Sequence, residues 1–191
     1  MLHKASSHIT QQLLIYGAIT KDDYELYEFA AFCFLFNLIP LLLSMIIGAV
    51  LNLFWESILF IAPYISIRTF SGGFHLKSSL ACFIATSIIL IACLIITEQI
   101  IIIGESSVYI ATTLLSSTSI FFLSPIDSEA RKLSVPETKA FRRIARCLVV
   151  AYTAVVLILY WMDVFAVTYP ICMGIILTAT LQLPCCIRAS R

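Results

Sequence analysis

Six long apolar runs, each closed by a short polar break, constrain this chain more than any other feature of it. They cover residues 29–51, 53–67, 80–96, 107–123, 147–162 and 169–183, and an Ile-rich patch at 100–103 can extend the third or the fourth. A helix that crosses the hydrocarbon layer needs ~20 such residues, with a usual range of ~17–25. Several runs fall at or just below that length. A backbone in lipid must satisfy its own N–H and C=O groups, which leaves helices as the economical way to use such runs. The composition agrees: 61% of the 191 residues are apolar and 12% are charged, about half of the ~25% charge of a soluble domain. Too few polar side chains exist to cover a water-soluble globule. The expected fold class is therefore all-α, a polytopic membrane helical bundle, with one integral-membrane domain over residues 1–191. The net charge of +1 offers no global field for nucleic acid.

Helix starts can be read at two places. Thr20 with Asp23 makes a capping-box pattern ahead of the first run. Ser134-Val-Pro-Glu137 is a second, with proline in the first turn, where its missing N–H costs nothing. The helix opened there carries Arg142, Arg143 and Arg146 and runs on into Cys147 and the fifth apolar run, as a helix rising out of water into lipid would. Ahead of the first run, Ile9, Leu13, Tyr16 and Ile19 fall roughly on one face of a segment spanning residues 1–25. That pattern suits an amphipathic helix at the membrane interface, and equally a dock for an amphipathic peptide. The same N-terminus has no compact apolar core followed by a small-residue cleavage site, so it is not read as a signal peptide.

Lysine and arginine placement sets the expected orientation. The stretch 124–146 holds six cations (Arg131, Lys132, Lys139, Arg142, Arg143, Arg146) against three acids. Lys4, Lys21, Arg68, Lys77, Arg188 and Arg191 fall on the same side if six spans alternate. The turns left for the other side, around Asn52, 98–105 and Asp163, contain no lysine or arginine. The chain is thus expected in the cell membrane as a multi-pass protein, with both termini and the stretch 68–82 in the cytoplasm.

Chemistry-bearing residues are few. The seven cysteines are odd in number and sit mostly in apolar runs, where thiols act as small apolar fillers rather than a disulfide framework. His3 and His8 lie in polar surroundings near the terminus. His75 is different: it stands at the mouth of the bundle, just past Gly72 and Gly73, seven residues before Cys82. Imidazole is the side chain best suited to take a thiol proton near neutral pH, and a cysteine beside it becomes a thiolate nucleophile. The glycines permit unusual backbone shapes and expose N–H groups that can receive an oxyanion. On one straight helix, positions seven apart lie ~10.5 Å apart along the axis, well beyond the ~3 Å of a hydrogen bond. Direct contact requires a bend between His75 and Cys82, or closure on substrate. No second His/Cys cluster supplies the four ligands zinc wants, so neither a metal nor a cofactor is expected. Glu56, Glu98 and Glu105 are weak candidates for an ion pathway, since all fall near an expected outer turn.

Arg68, Gly73, His75 and Cys82 together resemble the signature of the AgrB (accessory gene regulator protein B) family, membrane cysteine peptidases of Gram-positive quorum sensing. The length, the number of apolar segments and the position of the motif after the second of them agree with that family. So does "LSPIDSEARKLS", which resembles the family's proline- and aspartate-containing cytoplasmic loop. The resemblance implies Cys82 as nucleophile and His75 as its general base, with Arg68 orienting substrate and Gly73 shaping the loop. It also implies an AgrD-like precursor peptide as partner, cut near its C-terminal side and cyclised through a thioester to a thiolactone or lactone. Membrane lipid and a homodimer complete the expected partners. Asp127 is a candidate for orienting His75, or else an ordinary turn-stabilising side chain. A small transporter or scaffold, in which His75 and Cys82 merely fill a loop, is the competing reading.

Overall fold

The structure is a computed structural model that describes residues 2–21, 23–72, 79–103, 106–126 and 135–189, with the backbone alone described at 2, 33, 36–37, 79–83, 103, 106, 135–137 and 185–189. All the secondary structure among the described residues is helical. The elements are α1 (Leu2–Ile15), α2 (Tyr24–Val50), α3 (Phe54–Ser71), α4 (Ser79–Ile103), α5 (Ser106–Leu123), α6 (Val135–Trp161) and α7 (Phe165–Ala189). One helix stands on each of the six apolar runs, and α1 supplies the expected N-terminal helix. The chain divides into two compact units, Met1–Leu43 and Ser44–Arg191, so α2 contributes to both.

In the first unit, α1 and α2 are tied by the hydroxyls of Ser7 and Tyr24, 3.1 Å apart, and by His3 stacked on Phe32 at 4.5 Å. Ser6 and Thr10 are buried, while Ile9, Ile15 and Tyr16 remain exposed. Of the apolar face predicted there, Ile9 and Tyr16 are thus exposed, Leu13 is half-buried and Ile19 is buried, while the small polar residues Ser6 and Thr10 are covered. Their hydroxyls donate to carbonyls one turn back in the same helix, Ser6 to His3 and Thr10 to Ser6. At the start of α2, the Thr20 hydroxyl donates to the Asp23 carboxylate at 2.6 Å, a side-chain pair rather than a full capping box.

In the second unit α7 is the central element and touches α3, α4, α5 and α6. Residues 168–175 are buried without interruption, followed by Leu177, Thr178, Ala179 and Gln182, as expected of a helix that is apolar all round and enclosed. The helices around it bury one stripe each at helical spacing. These are Phe60, Ile61, Tyr64, Ile67 on α3; Leu90, Cys93, Leu94, Thr97 on α4; Tyr109, Thr113, Ser117, Ile120 on α5; and Ala145, Val149, Val156 on α6. Outside those stripes, large apolar side chains such as Ile88, Ile102, Leu115, Phe122 and Ile158 are exposed. Contiguous apolar surface of that kind marks a lipid or partner interface rather than water.

Among the described residues, three helices are long and apolar enough to cross a membrane, over Ile84–Ile102, Thr138–Trp161 and Phe165–Pro184. Leu38–Val50 and Ser107–Leu123 are shorter apolar helices. The protein is a membrane protein. Buried Thr97, Thr113 and Thr178, and half-buried Thr153, each donate to the carbonyl four residues earlier in their own helix, whereas buried Ser44 and Tyr109 donate across to the Ser57 and Tyr169 carbonyls of neighbouring helices. Pairs between helices add specific contacts, Ser117 with Thr153 at 2.8 Å and Ser66 with Tyr152 at 3.1 Å.

Candidate active site

The site begins at the last turn of α3. Arg68 lies there with its guanidinium carbon 5.4 Å from the centre of the Tyr64 ring, a cation–π arrangement that holds the arginine head near its own helix. The Arg68 carbonyl accepts the Gly72 N–H at 3.1 Å, and α3 stops at Gly72 with φ 76° and ψ −176°. That backbone region is essentially reserved for glycine. A side chain at Gly72 would also run into the Ile126 carbonyl. The chain then enters residues 73–78, which lie outside the described residues and contain Gly73, His75 and Lys77. It resumes at Ser79 as α4, and the backbone of Cys82 stands in the first turn of that helix. The bend required between His75 and Cys82 falls on undescribed residues.

Opposite Gly72 lies the segment that leaves α5. The Ile126 N–H donates to the Ser71 carbonyl at 3.0 Å. Gln182, reaching across from α7, donates from Nε2 to that same carbonyl at 3.3 Å and to the Ser124 hydroxyl at 3.1 Å. A carbonyl can only accept, so the NH2 end of the amide must face it and the Oε1 end must point away. Gln182 is fully buried, and among the described residues its Oε1 has no hydrogen-bond partner. Leaving a buried acceptor unsatisfied costs ~1–3 kcal/mol. Asp127 is the first residue past Ile126 and lies outside the described residues, as do Arg131, Lys132 and Ser134. The last described residues before the stretches that carry His75 and Asp127, namely Gly72 and Ile126, are thus neighbours in space.

A third contact closes this end of the bundle. The Arg146 Nε donates to the Phe121 carbonyl at 3.0 Å, and its guanidinium carbon sits 4.7 Å from the Phe121 ring centre. Phe121 is in the last turn of α5, where carbonyls lack a helical donor, so Arg146 caps α5 from α6. Phe70 of α3 meets Phe141 of α6 edge-on at 5.6 Å. Among the basic residues of 124–146, Arg146 is thereby committed to structure, whereas Lys139, Arg142 and Arg143 are exposed. Sequence reasoning did not single out Gln182 or Ser124. The available signal was an uncharged amide inside the sixth apolar run, because a strongly polar side chain at membrane depth is a functional candidate by default.

Fold and site together define a class: an all-helical membrane protein in which Arg68, Ser124, Arg146 and Gln182 stand near one end of the helices α3, α5, α6 and α7. The match to known families agrees, for the chain belongs to the accessory gene regulator B family, which it matches over residues 5–184. No curated protein and no solved structure matches it. Family membership supports a part in the peptide processing of accessory-gene-regulator quorum sensing.

Proposed function

We propose that the protein is a membrane-embedded cysteine endopeptidase that cuts a precursor signal peptide near its C-terminal side and cyclises the remainder. The observation that carries this is the order Arg68, Gly73, His75, Cys82 across the joint between α3 and α4, in a chain of this family. His75 takes the proton of the Cys82 thiol, and the sulfur attacks the scissile carbonyl. The C–N bond breaks, His75 returns the proton to the leaving amine, and the C-terminal tail departs. The remaining peptide stays on Cys82 as a thioester. An internal cysteine or serine of the precursor then attacks that thioester, closes a thiolactone or lactone ring, and frees the Cys82 thiol.

Water competes for the same acyl group, so ring closure needs the internal nucleophile held close and water limited. A site at the membrane mouth suits both demands. Arg68 orients the precursor through its charge, and Gly73 shapes the backbone beside His75. Asp127 orients His75, a role supported by the adjacency of Gly72 and Ile126. Exposed Lys139, Arg142 and Arg143 attract an acidic tail.

The test is co-expression with the cognate precursor, recognised as a co-encoded amphipathic peptide with an internal cysteine and an acidic tail. Cys82→Ala and His75→Ala should each abolish tail release, and mass spectrometry of the wild-type protein should find a precursor adduct at Cys82. Cleavage that survives either substitution returns the protein to the transporter or scaffold class.

A further inference from the structure

We propose that Gln182 is a positioning residue for this reaction: its amide clamps the end of α3 to the segment leaving α5, and so sets where the chain departs toward His75 and toward Asp127. The inference rests on the peptidase reading above, but its physical core does not. Nε2 holds two acceptors from two different elements, the Ser71 carbonyl and the Ser124 hydroxyl. The Ile126 N–H bond to the same Ser71 carbonyl completes a small knot, and Gly72 fits against the Ile126 carbonyl only because it lacks a side chain. The amide projects from α7, which touches α3, α4, α5 and α6. Both departures are thereby referred to the core of the bundle.

The Oε1, unpartnered among the described residues, separates this role from simple packing. An apolar side chain of the same shape would remove the buried Oε1 acceptor but leave the buried Ser124 hydroxyl without its amide donor, so the two effects on stability oppose each other. The amide therefore adds little net stability, and what it contributes is geometry. Reacting groups must be held within a fraction of an ångström by the residues behind them, and Gln182 is placed to do this without touching substrate.

Gln182→Met in the full-length protein tests the idea with three readouts: thermal midpoint in detergent, amide hydrogen exchange resolved to Ile126, and tail release from the cognate precursor. Expected are a midpoint close to wild type, because the lost acceptor and the orphaned Ser124 hydroxyl offset each other, and an Ile126 amide that exchanges at least tenfold faster. Tail release at saturating precursor should fall at least tenfold, with the half-saturating concentration within twofold. Ile126 protection or saturating rate within twofold of wild type overturns the proposal. If the methionine variant does not fold, Ser124→Ala removes one of the two acceptors with little change of volume. It should shift exchange and rate at least threefold in the same directions, and no shift overturns the proposal as well. A wild-type protein that releases no tail, or a Cys82→Ala variant that still does, sinks the peptidase reading instead, while exchange at Ile126 still reports on the clamp.

Discussion

Gly72 carries two constraints in one residue. Its φ of 76° with ψ near 180° is a conformation that L side chains avoid, and the Ile126 carbonyl occupies the space a Cβ would need. Residues forced into such regions cost ~1–3 kcal/mol. Gly72→Ala should lower the thermal midpoint of the detergent-solubilised protein by that much stability and reduce tail release beyond the loss of folded protein. Arg146 gives a second case, because its neighbours in sequence provide the control. Arg146→Gln loses a charge-assisted hydrogen bond to a helix-end carbonyl, worth ~1.5–3 kcal/mol, together with its contact to the Phe121 ring. Arg142→Gln, at an exposed position, should stay within ~0.5 kcal/mol of wild type. Equal thermal midpoints for the two variants would mean that the cap on α5 does not matter. Arg68, Gly73, His75 and Cys82 could be singled out in the sequence because a proposed chemistry dictates residue types and spacing, and of these Gly73 and His75 lie outside the described residues. Gln182 was not singled out, because its partners Ser71 and Ser124 lie 111 and 58 positions away.

Among the elements, α3 and α7 pack so closely that one position has no room for a side chain. A Cβ on Gly174 would collide with the Phe60 carbonyl and stand 2.7 Å from Pro63 Cγ. Small residues allow such backbone approach in membrane helix pairs, where packing rather than hydrophobicity drives association. Gly174→Val should therefore push α7 away from α3 and cost at least the ~1–3 kcal/mol typical of overpacking. Ala151→Val, on an exposed face of α6, should leave the thermal midpoint unchanged. The existence and order of these helices could be read from the sequence, since an apolar run of the right length in lipid has little choice but to be helical. Their ends could not. The third and sixth runs were read as 80–96 and 169–183, yet α4 and α7 extend over Ser79–Ile103 and Phe165–Ala189. Hydropathy reports depth in lipid, whereas helical hydrogen bonding continues past the apolar boundary. The long helix through Arg142 to Cys147 was legible because a cap and a proline announced its start. The covered side of α1 was not, since burial of Ser6 and Thr10 is decided by packing that periodicity does not encode.

For the second compact unit as a whole, enclosure is graded. The apolar window of α7 is 67% buried, against 22% for α4 and 17% for α6, so α7 forms the axis while α4 and α6 present most of their surface to lipid. Lipid-facing helices are oriented by the charges at their ends. The turns at Asn52 and Asp163, each carried by a non-glycine residue at positive φ, contain no lysine or arginine, while Arg68, Lys139, Arg142, Arg143 and Arg146 gather at the opposite helix ends. Each basic residue left on the wrong side of a membrane opposes insertion, so this partition should hold the C-terminus and the α3–α4 joint in the cytoplasm. A fluorescent reporter that matures only in the cytoplasm should shine when fused after Arg191 and stay dark when the chain is cut and fused after Asp163. The reverse pattern would place Cys82 on the outer face, away from a newly made precursor, and would remove the peptidase reading's supply of substrate. Introducing Lys at Asn52 and at Asp163 should weaken the preference for the native orientation, visible as partial fluorescence at the Asp163 fusion, whereas the same two lysines placed beside Arg142 and Arg143 should leave the pattern as it was.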